Sequence, residues 1–171
     1  MAKLIDPTAS ILSPRGKVNE AGANRFFRRF AEGSFDLADL AEQTDDLADF
    51  VTNATNRFRF SPDKIIALGF SNGANIASSL MLRKPEVLAG AILMRGMVPF
   101  VPSKPVDLKG KRAFLLNGSQ DPIVPVENAE QLAAILREGG AEVEQVMLET
   151  GHAMTQDEVG LARNWLTVPV A

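Results

Sequence analysis

The chain has 171 residues, no cysteine, one histidine and a formal charge of −3, a length that suits one domain whose core stands without cross-links. The missing thiols exclude disulfides, thiolate metal sites and thiol catalysis, and a lone imidazole leaves metals only carboxylate ligands, so neither a metal nor a cofactor is expected. Net negative charge disfavours nucleic acid as a partner, and with no apolar run of about 18 residues and no basic-then-apolar leader the chain reads as cytoplasmic and free of the membrane.

Residues 1–171 read as a single domain, with no repeat, linker or low-complexity tract. "ASILS" (Ala9 to Ser13) reads as a first strand, stopped by Pro14 and Gly16. The aromatic and basic stretch "RFFRRFAEGSF" follows. Its arginines are outnumbered by nearby acids, which argues against an RNA or membrane patch. Phe26, Phe27, Phe30 and Phe35 are expected to pack on the sheet, either roofing a substrate cleft or serving the core alone.

Leu37, Leu40, Leu47, Val51, Ala54 and Phe58 recur at helical spacing, leaving Asp39, Asp45, Asp46 and Asp49 for the solvent side. "KIIALGF" is a buried strand, and "ANIASSLMLRK" a helix ended by Pro85. "GAILM" repeats the strand signature, and the proline-punctuated stretch to Gly110 is a surface crossing. "RAFLLN" is a strand, "VENAEQLAAILRE" a helix stopped at Gly139 and Gly140, and "EVEQVML" an edge strand. A last helix begins near Thr155, where Thr155 and Glu158 have capping-box spacing.

Strands alternating with helices of this length need crossover connections, so the sheet is expected to be mainly parallel with helices on both faces. Ligands of such sheets sit beyond the carboxyl ends of the strands. Three reactive groups arrive there: Ser71 after "KIIALGF", Asp121 after "RAFLLN" and His152 after "EVEQVML".

Ser71 lies in "GFSNG", and G-x-S-x-G by itself arises by chance in about one chain of this size in twenty. A strand before it and a helix after it are the setting the motif requires. The serine then sits in a strained strand-to-helix turn, flanking glycines permit close backbone approach, and the Asn72 amide at the new helix start faces a developing oxyanion. The plain alternative is a polar turn. His152 is the one imidazole available as a general base. Asp121, in "GSQDPIVP", is placed to accept the imidazole Nδ1 proton as well as to start a turn; Asp107, in the proline-rich crossing, is the fallback.

Together "ILSPRGKV", "RFFRRFAEGSFD", "DLADF", "GFSNGANIA", "MVP", "DPIVP" and "GHAMTQDE" resemble the phospholipase/carboxylesterase family of bacterial α/β-hydrolases, from about Leu4 to Leu166. The resemblance implies a three-layer α/β/α sandwich with a triad of Ser71, Asp121 and His152, and one oxyanion amide from Asn72. It implies small carboxylic esters as substrates, with Met97, Val98 and Pro99, together with Phe30 and Val124, as candidate pocket walls. The family's preceding strand and its His-Gly oxyanion loop have no counterpart here, so a reduced α/β-hydrolase fold of about five strands is expected. In it "ILS" would pair directly with "KIIALGF", and a homodimer would cover the remaining apolar surface. A serine esterase working through an acyl-enzyme is the leading expectation, its rate lowered by the missing donor; the alternative is a weak or inactive hydrolase fold that binds a small molecule or a partner.

Overall fold

The computed structural model describes residues 1–167. A short helix, α1 (Ala2–Ile5), precedes two hairpins: β1 (Val18–Glu20) with β2 (Ala23–Arg25), and β3 (Arg29–Ala31) with β4 (Ser34–Phe35). Each turns through a two-residue loop. Ala21 and Gly22 both have positive φ, at 51° and 85°, as the tightest hairpin turns demand.

Helix α2 (Leu37–Phe58) starts where the Asp36 side chain accepts from the Asp39 amide, and it stops at Arg59 in the left-handed conformation. Its inner face is Leu40, Thr44, Ala48, Val51, Ala54 and Thr55. Leu37 and Phe58, expected inside, are exposed instead: each is a terminal residue of the helix, with no further turn to cover it. Asp39, expected on the solvent side, departs the other way. It is buried, accepting from the Arg28 amide at 2.6 Å and lying 3.3 Å from the Arg28 guanidinium, so it ties the second hairpin to the helix.

The rest of the chain is β5 (Ile66–Phe70), α3 (Asn72–Arg83), β6 (Gly90–Met94), β7 (Arg112–Gly118), α4 (Val126–Glu138), β8 (Glu142–Leu148) and α5 (Gln156–Thr167). The four strands form one parallel sheet in the order β5-β6-β7-β8, in register from Ile66 opposite Gly90 to Gly118 opposite Leu148. Successive side chains of the central strands face opposite layers. Ala91, Leu93, Ala113 and Leu115 pack with residues of α3 and α4, whereas Ile92, Met94, Phe114 and Leu116 pack with Ile5, Ala162 and Trp165 from α1 and α5. The result is the expected α/β/α sandwich.

The sheet has four strands among the described residues, not the five expected. Ala9 to Ser13 forms no strand, and Ile11 and Leu12 are exposed. Local bonds compete with a ladder there: Asp6 accepts from the Thr8 amide and hydroxyl, and Lys3 Nζ donates to the carbonyls of Pro7 and Ala9. Pro7 and Pro14 bracket the stretch and contribute no N–H. Direct pairing with β5 therefore does not form, and β5 is a sheet edge. Among the described residues no helix is long and apolar enough to cross a membrane.

Candidate active site

The shared register brings the carboxyl ends of all four strands to one rim. Ser71 sits between β5 and α3 with φ 51° and ψ −113°, a conformation that costs a non-glycine residue about 1–3 kcal/mol. Its amide continues the ladder to the Met94 carbonyl at 2.8 Å, while its carbonyl accepts from the Asn75 amide at 2.9 Å. The side chain is left to project from the turn. The two motif glycines have different reasons. A β-carbon on Gly69 would lie 2.3 Å from the Gly73 oxygen and 2.5 Å from the Ala74 nitrogen, whereas one on Gly73 would meet only the Phe26 ring edge at 3.9 Å. The close approach thus demands glycine at position 69.

His152, in the β8–α5 loop, places Nε2 3.0 Å from Ser71 Oγ and Nδ1 2.8 Å from Asp121 Oδ2. Asp121 is buried, and its other oxygen accepts from the amides of Ile123 and Val124 at 2.8 and 3.1 Å. One carboxylate oxygen makes the turn while its twin takes the imidazole. The fallback Asp107 is exposed and accepts from the Lys109 amide instead. Asn72 opens α3, its backbone amide at the helix start and its side-chain oxygen accepting from the Phe26 amide at 2.7 Å. The arrangement suits proton transfer from a hydroxyl to an imidazole whose far nitrogen is held by a carboxylate.

A narrow cleft opens over Ser71, its enclosed part only about 20 Å³, room for about one water. Phe35, Met97, Ile123 and Val124 supply its apolar walls, and Arg25, Arg29 and Glu32 its rim. Of the expected pocket residues, Met97 and Val124 therefore line it. Phe30 does not: its side chain is 77% exposed, because the hairpin turns Phe27 inward, against Leu40, Ile76 and the edge of Phe35. Val98 and Pro99 also lie off the cleft, since the Val98 amide donates to Asn128 Oδ1, its side chain packs on the main core, and Pro99 is buried. At the rim Arg29 donates to Glu20 and pairs with Glu32. Hydrogen bonding from Arg29 holds Glu20 below the usual carboxylate range, and the same bond raises Arg29.

Two features of the site carry no signal in the sequence. Arg95, just past β6, is fully buried with φ 55° and pairs with Glu158 at 2.5 Å. Asn75 Oδ1 accepts from the Met97 amide and so fixes the cleft wall. Nothing in their neighbourhood along the chain marks either; only Glu158 carries a signal, as the partner of Thr155. Glu158 Oε2 does accept from the Thr155 amide at 2.6 Å. Among the described residues no group of three or more histidine, aspartate or glutamate side chains is arranged to hold a metal ion.

A parallel sheet between helical layers, with a strained serine at a strand-to-helix turn, defines an α/β-hydrolase fold of reduced strand number. The chain belongs to the phospholipase/carboxylesterase family, whose model matches residues 28–169. It is 41% identical to the putative hydrolase MhqD of Bacillus subtilis over 165 residues, which is 96% of this chain and 82% of that protein. The crystal structure of a Bacillus cereus carboxylesterase superposes with a TM-score of 0.93 at 41% identity, covering 96% of this chain and 77% of that one. A carboxylesterase from Mesorhizobium loti gives 0.92 at 31% identity, over 98% of this chain and 80% of that one. These relatives make the protein an esterase-type hydrolase.

Proposed function

We propose that the protein cleaves small carboxylic esters through an acyl-enzyme on Ser71. The observation that carries this reading is the continuous chain from Ser71 Oγ through the His152 ring to Asp121, at 3.0 and 2.8 Å. Ser71 Oγ attacks the ester carbonyl as His152 Nε2 takes its proton, and the carbonyl oxygen gathers negative charge opposite the Asn72 amide. The tetrahedral intermediate collapses, the C–O bond to the alcohol breaks, and the imidazolium gives its proton to the leaving oxygen. Water, deprotonated by the same ring, then releases the acid and restores Ser71. Asp121 holds Nδ1 protonated, so that Nε2 is the basic nitrogen, and it stabilises the imidazolium. A protonated imidazole cannot begin the cycle.

Met97, Ile123 and Val124 offer an apolar wall to an acyl or alcohol group. Where Asn72 is the single oxyanion donor, the rate stands about 10²- to 10³-fold below that of a two-donor site. A fluorophosphonate probe is the direct test. The protein should be labelled on Ser71, located by peptide mass spectrometry, and the Ser71→Ala variant should stay unlabelled. Equal labelling of the two would overturn the reading.

A further inference from the structure

Resting on that reading, we infer that Arg95 is a positioning residue: its guanidinium clamps the loop carrying His152 to the sheet and to α5, and so sets where the imidazole stands. Every bond it makes ends on an element of that loop's surroundings. Nε donates to the Gly151 carbonyl, Nη1 to the Leu116 carbonyl and to Glu158, and Nη2 to the Thr150 hydroxyl, the Ala153 carbonyl and Glu158, all within 3.2 Å. Residues on both sides of His152 are thereby held by one rigid planar group. The Arg95 backbone is itself anchored, its amide donating to Leu116 at 2.8 Å, and its left-handed φ turns the side chain back under the rim.

The guanidinium also faces the carboxylate, with Nε 3.9 Å from Asp121 Oδ2. The charged groups linked to the imidazole through these pairs are Asp121 from the β7–α4 loop, Arg95 from the end of β6 and Glu158 from α5. Glu158 neutralises Arg95, so the clamp adds little net charge beside a ring that must become positive in the cycle. It also accepts from Thr155 at the start of α5, joining the helix to the clamp. Lysine at position 95 would keep the charge but not the planar fork.

One histidine in the chain makes the test unambiguous, because every imidazole signal from isotope-labelled histidine belongs to His152. In the parent the Nδ1 proton, held against Asp121, should give a downfield NMR signal. Removing Arg95 alone leaves Glu158 buried without a partner, so the chief variant is the double Arg95→Met/Glu158→Met, with thermal melting to establish folding. The expected result is a folded protein that has lost the Nδ1 signal to exchange and about 10²-fold in kcat, with KM within about twofold. Thr150→Val removes one bond of the clamp and should lower kcat about two- to tenfold. It decides the matter if the double variant does not fold. Retention of both the Nδ1 signal and the parent kcat in the folded double variant, or in Thr150→Val when that decides, overturns the inference. The NMR readout does not require turnover, so failure of Ser71 labelling would fell the acyl-enzyme reading while leaving this one measurable.

Discussion

The two halves of the molecule contribute to one cleft by different physics. Residues 64–167 place backbone against backbone: the sheet is parallel, its two central strands are buried on both faces, and the loops that carry Ser71, Asp121 and His152 rest on glycines with no room for a side chain. Residues 1–36 contain two short hairpins tied by charge, with Arg25 and Arg29 both on Glu20, and much of their apolar surface in water. The floor of the site is thus fixed by steric exclusion and its rim by ion pairs in reach of solvent. A substitution in residues 64–167 should cost folding or alignment; the same kind of change in residues 1–36 should cost little.

The sharpest break in that contrast is within the Ser71 turn itself. Gly69→Ala puts a β-carbon into the backbone of Gly73, and a loss above about 4 kcal/mol, or failure to fold, is expected in denaturant titrations. Gly73→Ala, with only a van der Waals neighbour, should stay within about 1 kcal/mol of the parent. Equal costs would show that the close approach does not govern the turn. Next comes Trp165→Ala, at about 3–5 kcal/mol, because the indole stacks on Phe114 and carries the Arg112 guanidinium 4.4 Å from its centre.

Gly118→Ala separates alignment from stability. Its β-carbon would lie 2.2 Å from the Thr150 oxygen and 2.7 Å from the Gly151 oxygen, beneath the His152 loop. Because this clash falls on a partly exposed loop rather than on the start of a buried helix, ester hydrolysis should fall about 10²-fold for a smaller stability loss than in Gly69→Ala, about 1–3 kcal/mol. In the other half, Phe30→Ala removes a ring already in water and should move the midpoint by no more than about 0.5 kcal/mol.

The smallest expected effect is a pH response confined to the hairpins. Arg29 donates to Glu20 and lowers its carboxyl from an ordinary value of 4.5, against the opposing pull of desolvation. A lowered carboxyl stabilises the folded form fully above its unfolded value and loses that contribution as pH falls through its folded value. Amide NMR signals of Val18–Ala31 should therefore broaden on acidification through that range while those of β6 and β7 hold. In Glu20→Gln this pH dependence should vanish.

Much of the sheet was legible because a strand buried on both faces needs a continuous apolar run. "GAILM" is β6 to the residue, and "VENAEQLAAILRE" is α4 to the residue. The three side chains of the proposed triad were legible for a related reason: each follows a strand, and one serine motif, one imidazole and the Asp-Pro turn after β7 left few rivals. The hairpins were not, because strands of two or three residues carry too few positions to show a period. Ala9 to Ser13 misled in the opposite direction. An apolar run states that a stretch could enter a ladder, whereas a strand exists only when a neighbour offers its edge and local hydrogen bonds do not win first.

By itself the sequence determined the class of fold, the order of its main elements and the identity of three residues at strand ends, since these follow from periodicity, chain punctuation and the small number of groups able to act as nucleophile and base. Tertiary structure alone decided the strand count, which walls the cleft has, and that a buried Arg95 grips the histidine loop. Those depend on contacts between residues far apart in the chain, and the free energy of such a contact is written in neither partner's local neighbourhood.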